Sequence, residues 1–118
     1  MIIRSSQIEE LESHPLFGVL DGVGSRTISP DEFYEESNFH EISWVEMEPR
    51  ALIPEHEHEG CEEIKIIIYG IGMYTEGKQK ERVGAGDVIL TEKGLRHSLE
   101  NIGSYPLVYI AISSKCNG

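Results

Sequence analysis

Two histidines two residues apart, His56 and His58, lie in the glutamate-rich stretch from Pro54 to Glu63, with carboxylates following at Glu62 and Glu63. Imidazole nitrogen and carboxylate oxygen together suit manganese, iron, zinc, nickel or copper, and no thiolate is required. Residues two apart do not share a face of a helix. On a strand they do, because side chains alternate with a period of two. The pair therefore belongs on a strand. The β-branched run Ile64 to Ile68 reads as the next strand, with a carboxylate at its mouth. Two imidazoles and a carboxylate converging from paired strands make most of a divalent-metal site, and a further ligand must come from elsewhere in the chain.

The order His56, one residue, His58, four residues, Glu63, six residues, Gly70 resembles the first sequence motif of the cupins. Gly86, Gly94, His97 and Asn101 resemble the second. Glu92 stands where the family usually has proline, and Arg50 where a glycine often precedes the first histidine; neither is a ligand position. The resemblance implies His97 as the remaining ligand, giving one divalent metal held by His56, His58, Glu63 and His97. It also implies an all-β, cupin-type double-stranded β-helix, a jelly-roll barrel with the site in its mouth. Four protein ligands on a six-coordinate ion leave two positions for substrate, water or dioxygen. The expected function is a metal-dependent enzyme of dioxygenase, decarboxylase or isomerase type acting on a small polar or carboxylate-bearing molecule. The alternative is a non-catalytic cupin that holds a metal or small ligand. The fold alone does not choose between them, and no motif marks a catalytic acid or base.

The choice between Glu62 and Glu63 has a structural consequence. Binary patterning favours Glu62, because Ile64, Ile66 and Ile68 would then share the inner face with it. The family spacing favours Glu63, which turns those isoleucines outward. An exposed apolar stripe requires a cover. A second chain in a homodimer supplies one; Ile2, Ile3, Ile8 and Leu11 of the N-terminal segment are the other candidates. Lys65 then falls on the pocket side, as a cation for an anionic substrate group or as a partner for a glutamate. Tyr69 is a second candidate for contact with substrate, although it and Tyr74, Met47, Ile67 and Leu99 read first as barrel lining. Glu55 and Glu57 point away from the site by strand alternation. Asn101 and Asp87 read as turn supports, and Cys61 as a buried inert thiol.

The elements that position these groups are short. Ser5 to Leu11 reads as a capped helical turn ended by His14-Pro15, and Ser29-Pro30 as a second helix start. Gly18, Gly22 and Gly24 mark loops, and Arg26 to Ile28 a short strand. From Phe39 a period of two runs through strands separated by glycine turns to Ser113, including a hairpin about Glu76-Gly77-Lys78. We divide the chain into an N-terminal segment 1–38 packing on the barrel, a barrel 39–113 and a tail 114–118, one domain overall. A length of 118 residues leaves no room for two cores. A net charge of −11 argues against nucleic acid and anionic membranes as partners. No apolar run is long enough to span a bilayer or serve as a signal peptide, and two cysteines fit a reducing compartment, so the expected location is cytoplasmic.

Overall fold

The computed structural model describes residues 2, 4, 9–11, 20–27, 36–57 and 60–115. Among the described residues there are ten strands: β1 (Glu9–Leu11), β2 (Val23–Thr27), β3 (Phe39–Met47), β4 (Leu52–His56), β5 (Glu63–Tyr69), β6 (Ile71–Glu76), β7 (Gln79–Gly84), β8 (Val88–Thr91), β9 (His97–Asn101) and β10 (Leu107–Ser114). Among the described residues there is no helix, and hence none long and apolar enough to cross a membrane. The strands form two antiparallel sheets, one in the order β1-β2-β3-β10-β5-β8 and the other β4-β9-β6-β7. This is the expected jelly roll.

The core between the sheets follows the alternation. On β3, Ser43, Val45 and Met47 are buried while Glu46 is exposed. On β5, Lys65 and Ile67 are buried while Ile64, Ile66 and Ile68 are not. Ile53 of β4, Tyr74 of β6, Ile89 of β8, Leu99 of β9 and Leu107 and Tyr109 of β10 complete the interior. Asn101 closes the end remote from the histidines. Its Nδ2 donates to the Met47 and Tyr105 carbonyls, both at 2.9 Å, and its Oδ1 accepts from Gly103 N–H at 2.9 Å. Asp87 supports its turn by accepting from Gly84 N–H at 2.7 Å. Both are turn supports, as their sequence context suggested.

Several local expectations change. Residues 9–11 are strand and not helical turn, because pairing with β2 gives their backbone partners that a short capped turn cannot match. Residues 5–8 and the helix expected at Ser29-Pro30 lie outside the described residues. Gly24 falls inside β2, and of the turn expected over Gly70-Ile71-Gly72 the last two residues lie inside β6, so only Gly70 makes the sharp turn between β5 and β6.

Gly70 is irreplaceable for two reasons. Its φ is +97°, and an added Cβ would lie 2.6 Å from the Pro106 carbonyl oxygen. Gly77, at φ +59° in the β6–β7 turn, has open space around it. Gly77→Ala should therefore cost only the left-handed penalty, about 1 kcal/mol, and Gly70→Ala about 3 kcal/mol or more. Equal losses in urea denaturation would mean that the β5–β6 turn relaxes freely.

Candidate functional site

His56 ends β4 and His97 begins β9, and the two are cross-strand partners. The pairing register shifts between Ile53 and His56, where Pro54 interrupts the ladder. Their rings meet with centroids 4.2 Å apart and planes inclined by 58°. Each ring is fixed by a carbonyl two residues upstream: His56 Nδ1 lies 2.8 Å from Pro54 O, and His97 Nδ1 lies 3.2 Å from Leu95 O. A carbonyl only accepts, so Nδ1 carries the hydrogen in both rings and Nε2 carries the lone pair. That is the tautomer a metal-ligating histidine needs.

His97 is buried, with 1% exposure. Burial lowers its pKa from 6.5 to about 4, helped by the positive charge of Lys65, so the ring is neutral at physiological pH. Tyr74 packs near it, ring centroids 6.3 Å apart. The Tyr74 hydroxyl and Thr91 Oγ1 are 2.8 Å apart, and burial raises the tyrosine's pKa.

Glu63 begins β5 and faces inward, whereas Glu62 is exposed. Glu62 is pinned by the C-terminal end of β10: its N–H donates to Ser114 Oγ, and its carbonyl accepts from Ser114 N–H, both at 2.9 Å. The Glu63 carboxylate pairs with the Lys65 ammonium, and the two side chains are only 12% and 4% exposed. Lys65 also sits 5.9 Å from the centre of the Tyr109 ring. Tyr109 is fully enclosed, and burial, then the charge of Glu63, pushes its hydroxyl pKa well up. Among the described residues no three His, Cys, Asp or Glu side chains close around one point. His58 lies outside the described residues, and Glu63 is turned to Lys65.

The structure thus brings His56, His97, Glu63 and Lys65 together and leaves Tyr69 out. Tyr69 is 51% exposed and packs edge-on against Tyr105, ring centroids 6.5 Å apart. The cause is a bulge. Val108 pairs with Tyr69 and Tyr109 with Ile67, so Ile68 is an extra residue and the alternation that would aim Tyr69 inward is lost. Glu55 points outward, as expected, and accepts from Arg96 Nε at 2.7 Å. Cys61 is buried but is disulfide-bonded, which corrects the inert-thiol reading and removes that argument for a reducing compartment. The chain's other cysteine, Cys116, lies outside the described residues.

Sequence reasoning passed over Glu41, Thr91, Ser113 and Tyr109. Glu41, Ser113, Glu63 and Thr91 are successive cross-strand partners in one row, and Glu41 accepts from Ser43 Oγ at 2.7 Å. The alternation of Ser43, Val45 and Met47, extended one step back, would have put Glu41 on the inner face.

The donor set fits a borderline divalent ion, with two imidazoles presenting Nε2 from the β4–β9 pair and a carboxylate from β5 in the opposite sheet, not from a strand paired with β4 as expected. The same burial makes a stability prediction. Between pH 6.5 and about 4 an unfolded His97 binds a proton that the folded one does not, so stability falls as pH drops through that window and levels off below it. The ceiling is about 3 kcal/mol. Urea denaturation in EDTA from pH 7 to 4.5 should show this loss, and His97→Gln should remove it; an equal loss in the variant would place the acid sensitivity elsewhere.

Comparison with known proteins agrees with this architecture. Residues 43–113 match the family model of the cupin domain. An oxalate-binding protein of Thermotoga maritima is 28% identical over 113 residues, covering 95% of this chain and 92% of that protein. A structure described as a predicted oxalate decarboxylase of T. maritima superposes with a TM-score of 0.77 at 25% identity, over 97% of this chain and 98% of that one. An oxalate decarboxylase variant of Bacillus subtilis gives 0.76 at 25% identity, over 97% of this chain and 30% of that one. A match over 71 of 118 residues, two sheets in jelly-roll order and a paired-histidine barrel mouth lead to one conclusion: this chain belongs to the cupin family.

Proposed function

We propose that this chain binds one divalent metal ion through His56, His58, Glu63 and His97 and takes a small carboxylate-bearing molecule beside it, with oxalate the first candidate. The observation that carries the reading is the His56–His97 pair, whose Nδ1 atoms are both committed to carbonyls so that both Nε2 atoms are donors. The full-length similarity to an oxalate-binding protein supports the choice of ligand. When bound, the ion would supply positive charge for a carboxylate oxygen and Lewis-acid polarisation. The chain's own residues enclose that position: Lys65 offers a cation, while Tyr74 and Thr91 offer hydroxyls.

A second reading, turnover, is favoured by Glu41. It is another carboxylate in the inner row and so a positioned acid or base for a decarboxylase-type reaction. Metal-loaded protein incubated with oxalate separates the two. Formate and carbon dioxide would establish decarboxylation, and saturable binding of unchanged oxalate would establish a holding role. Failure to bind oxalate would contradict the proposed ligand.

The ligand set makes its own prediction. Glu63→Gln should weaken metal binding about tenfold or more, while Glu62→Gln, altering an exposed side chain, leaves it nearly intact. Replacing His58 and His97 together by alanine should abolish stoichiometric metal. A full equivalent retained by that double variant, measured by metal analysis on untagged protein, would refute the assignment.

We also propose that the chain is a homodimer through the outer face of the larger sheet. Trp44, Ile110, Ile66 and Val88 are cross-strand partners in one outward row, and Ile42, Ile112, Ile64 and Leu90 in the next. Val88 is 62% and Leu90 52% exposed. Covering such side chains is worth about 1.5–3 kcal/mol each when burial is complete, and salt screens the repulsion between acidic copies beyond about 8–10 Å. A twofold axis would lay each patch on its copy. Light scattering at micromolar concentration should report a dimer, and Ile66→Lys a monomer with metal binding intact. A monomeric wild type of 13.3 kDa would rule the dimer out.

A further inference from the structure

The barrel interior holds a charge that the ligand set does not use. Lys65 is 3% exposed, and Glu63 accounts for its ammonium. Its cross-strand neighbours, Ala111 on β10 and Ile89 on β8, carry no charge. The Tyr109 ring lies beneath it, and the nearby His97 is neutral. An ammonium so placed is stable only with an anion at hand, since an unpaired buried charge costs several kcal/mol. If Glu63 gives its charge to a divalent ion, Lys65 loses its partner.

From this ion pair we propose that Lys65 is the specificity-determining cation of the pocket, and that it makes the metal-bearing site select a doubly charged small carboxylate over a singly charged one. The inference rests on the metal reading above. With neutral imidazoles, a divalent ion, the Glu63 carboxylate and the Lys65 ammonium carry two net positive charges at the ion itself; Glu41 lies one strand further away, beyond Ser113. A dicarboxylate cancels both; a monocarboxylate leaves one buried and uncompensated. In the ligand-bound arrangement one carboxylate lies toward the ion, and Lys65, released from Glu63, donates to the other. Metal and dianion therefore bind with positive coupling, which by linkage is reciprocal. Without Lys65 the site carries one net positive charge, and the selectivity disappears. Before any ligand binds, Lys65 opposes the metal, both by holding Glu63 and by like-charge repulsion.

The test uses oxalate and oxamate, which share size and chelating geometry but differ by one negative charge. Titration calorimetry on wild type, Lys65→Met and Lys65→Gln would measure metal affinity without ligand, then oxalate and oxamate affinities of the metal-loaded proteins. A circular dichroism spectrum checks the fold of each variant. In both variants, metal affinity should rise by about tenfold, and the oxalate-to-oxamate preference should fall by about tenfold or more. The glutamine variant, which keeps a polar head, answers the question if methionine beside Glu63 prevents folding. Unchanged metal affinity together with an unchanged preference would overturn the proposal. So would collapse of the fold in both variants, since Lys65 would then be a structural partner of Glu63. A wild type that binds no metal would overturn the metal reading itself, a separate and recognisable failure.

Discussion

The register of β5 between β10 and β8 governs the rest of the molecule. Ser113 faces Glu63 and Glu63 faces Thr91, with Ala111, Lys65 and Ile89 aligned one step further along. A slip of one residue would send every side chain of the strand to the opposite face. Ile64 and Ile66 would fill the barrel mouth, and Glu63 and Lys65 would reach solvent. The register is held at one end by the reciprocal hydrogen bonds of Glu62 and Ser114. At the other it is held by the close approach of Gly70 to Pro106 and Leu107, which no side chain could share. Between these pins the strand cannot slide, so one constraint decides the inner polar row and the outer apolar face together.

Burial then sets the chemistry. The mouth keeps His97 neutral, with Nε2 as its donor, and confines an ion pair where water does not solvate it. A pocket that already bears a compensated charge pair does not need to desolvate a new carboxylate from scratch when a metal arrives; it exchanges partners. This is why Lys65 matters more than its single charge suggests. On the proposed metal reading, its effect on a ligand would be felt through Glu63 and the ion together, in a region of low dielectric where such exchanges cost or return several kcal/mol.

The fold was legible because its signals are local and repeated. Met47, Ile67 and Leu99 read as barrel lining and are buried, and the motif spacing chose Glu63 over Glu62 although simple patterning preferred Glu62. The structure agrees on which of the two faces inward. What was not legible depended on long-range pairing. Residues 9–11 belong to a stretch whose helix-cap chemistry lies at Ser5 or Ser6, yet they pair with β2. Tyr69 follows the inward alternation in the sequence, and a bulge at Ile68, created by the partner strand, turns it out. The Tyr74–Thr91 hydrogen bond joins residues from opposite sheets, a pairing that no spacing rule reaches. The disulfide state of Cys61 was likewise invisible in a chain with only two cysteines so far apart.

The central claim is that a divalent ion sits where the Nε2 atoms of His56 and His97 and the carboxylate of Glu63 can meet with His58. Its most direct test is a crystal structure of untagged, metal-loaded protein with anomalous data on both sides of the metal's absorption edge. The account predicts one anomalous peak in the barrel mouth, about 2.0–2.2 Å from histidine Nε2 and Glu63 oxygen atoms, with Lys65 drawn off the carboxylate. A peak elsewhere on the surface, or a mouth without anomalous density in which Lys65 still holds Glu63, would contradict it.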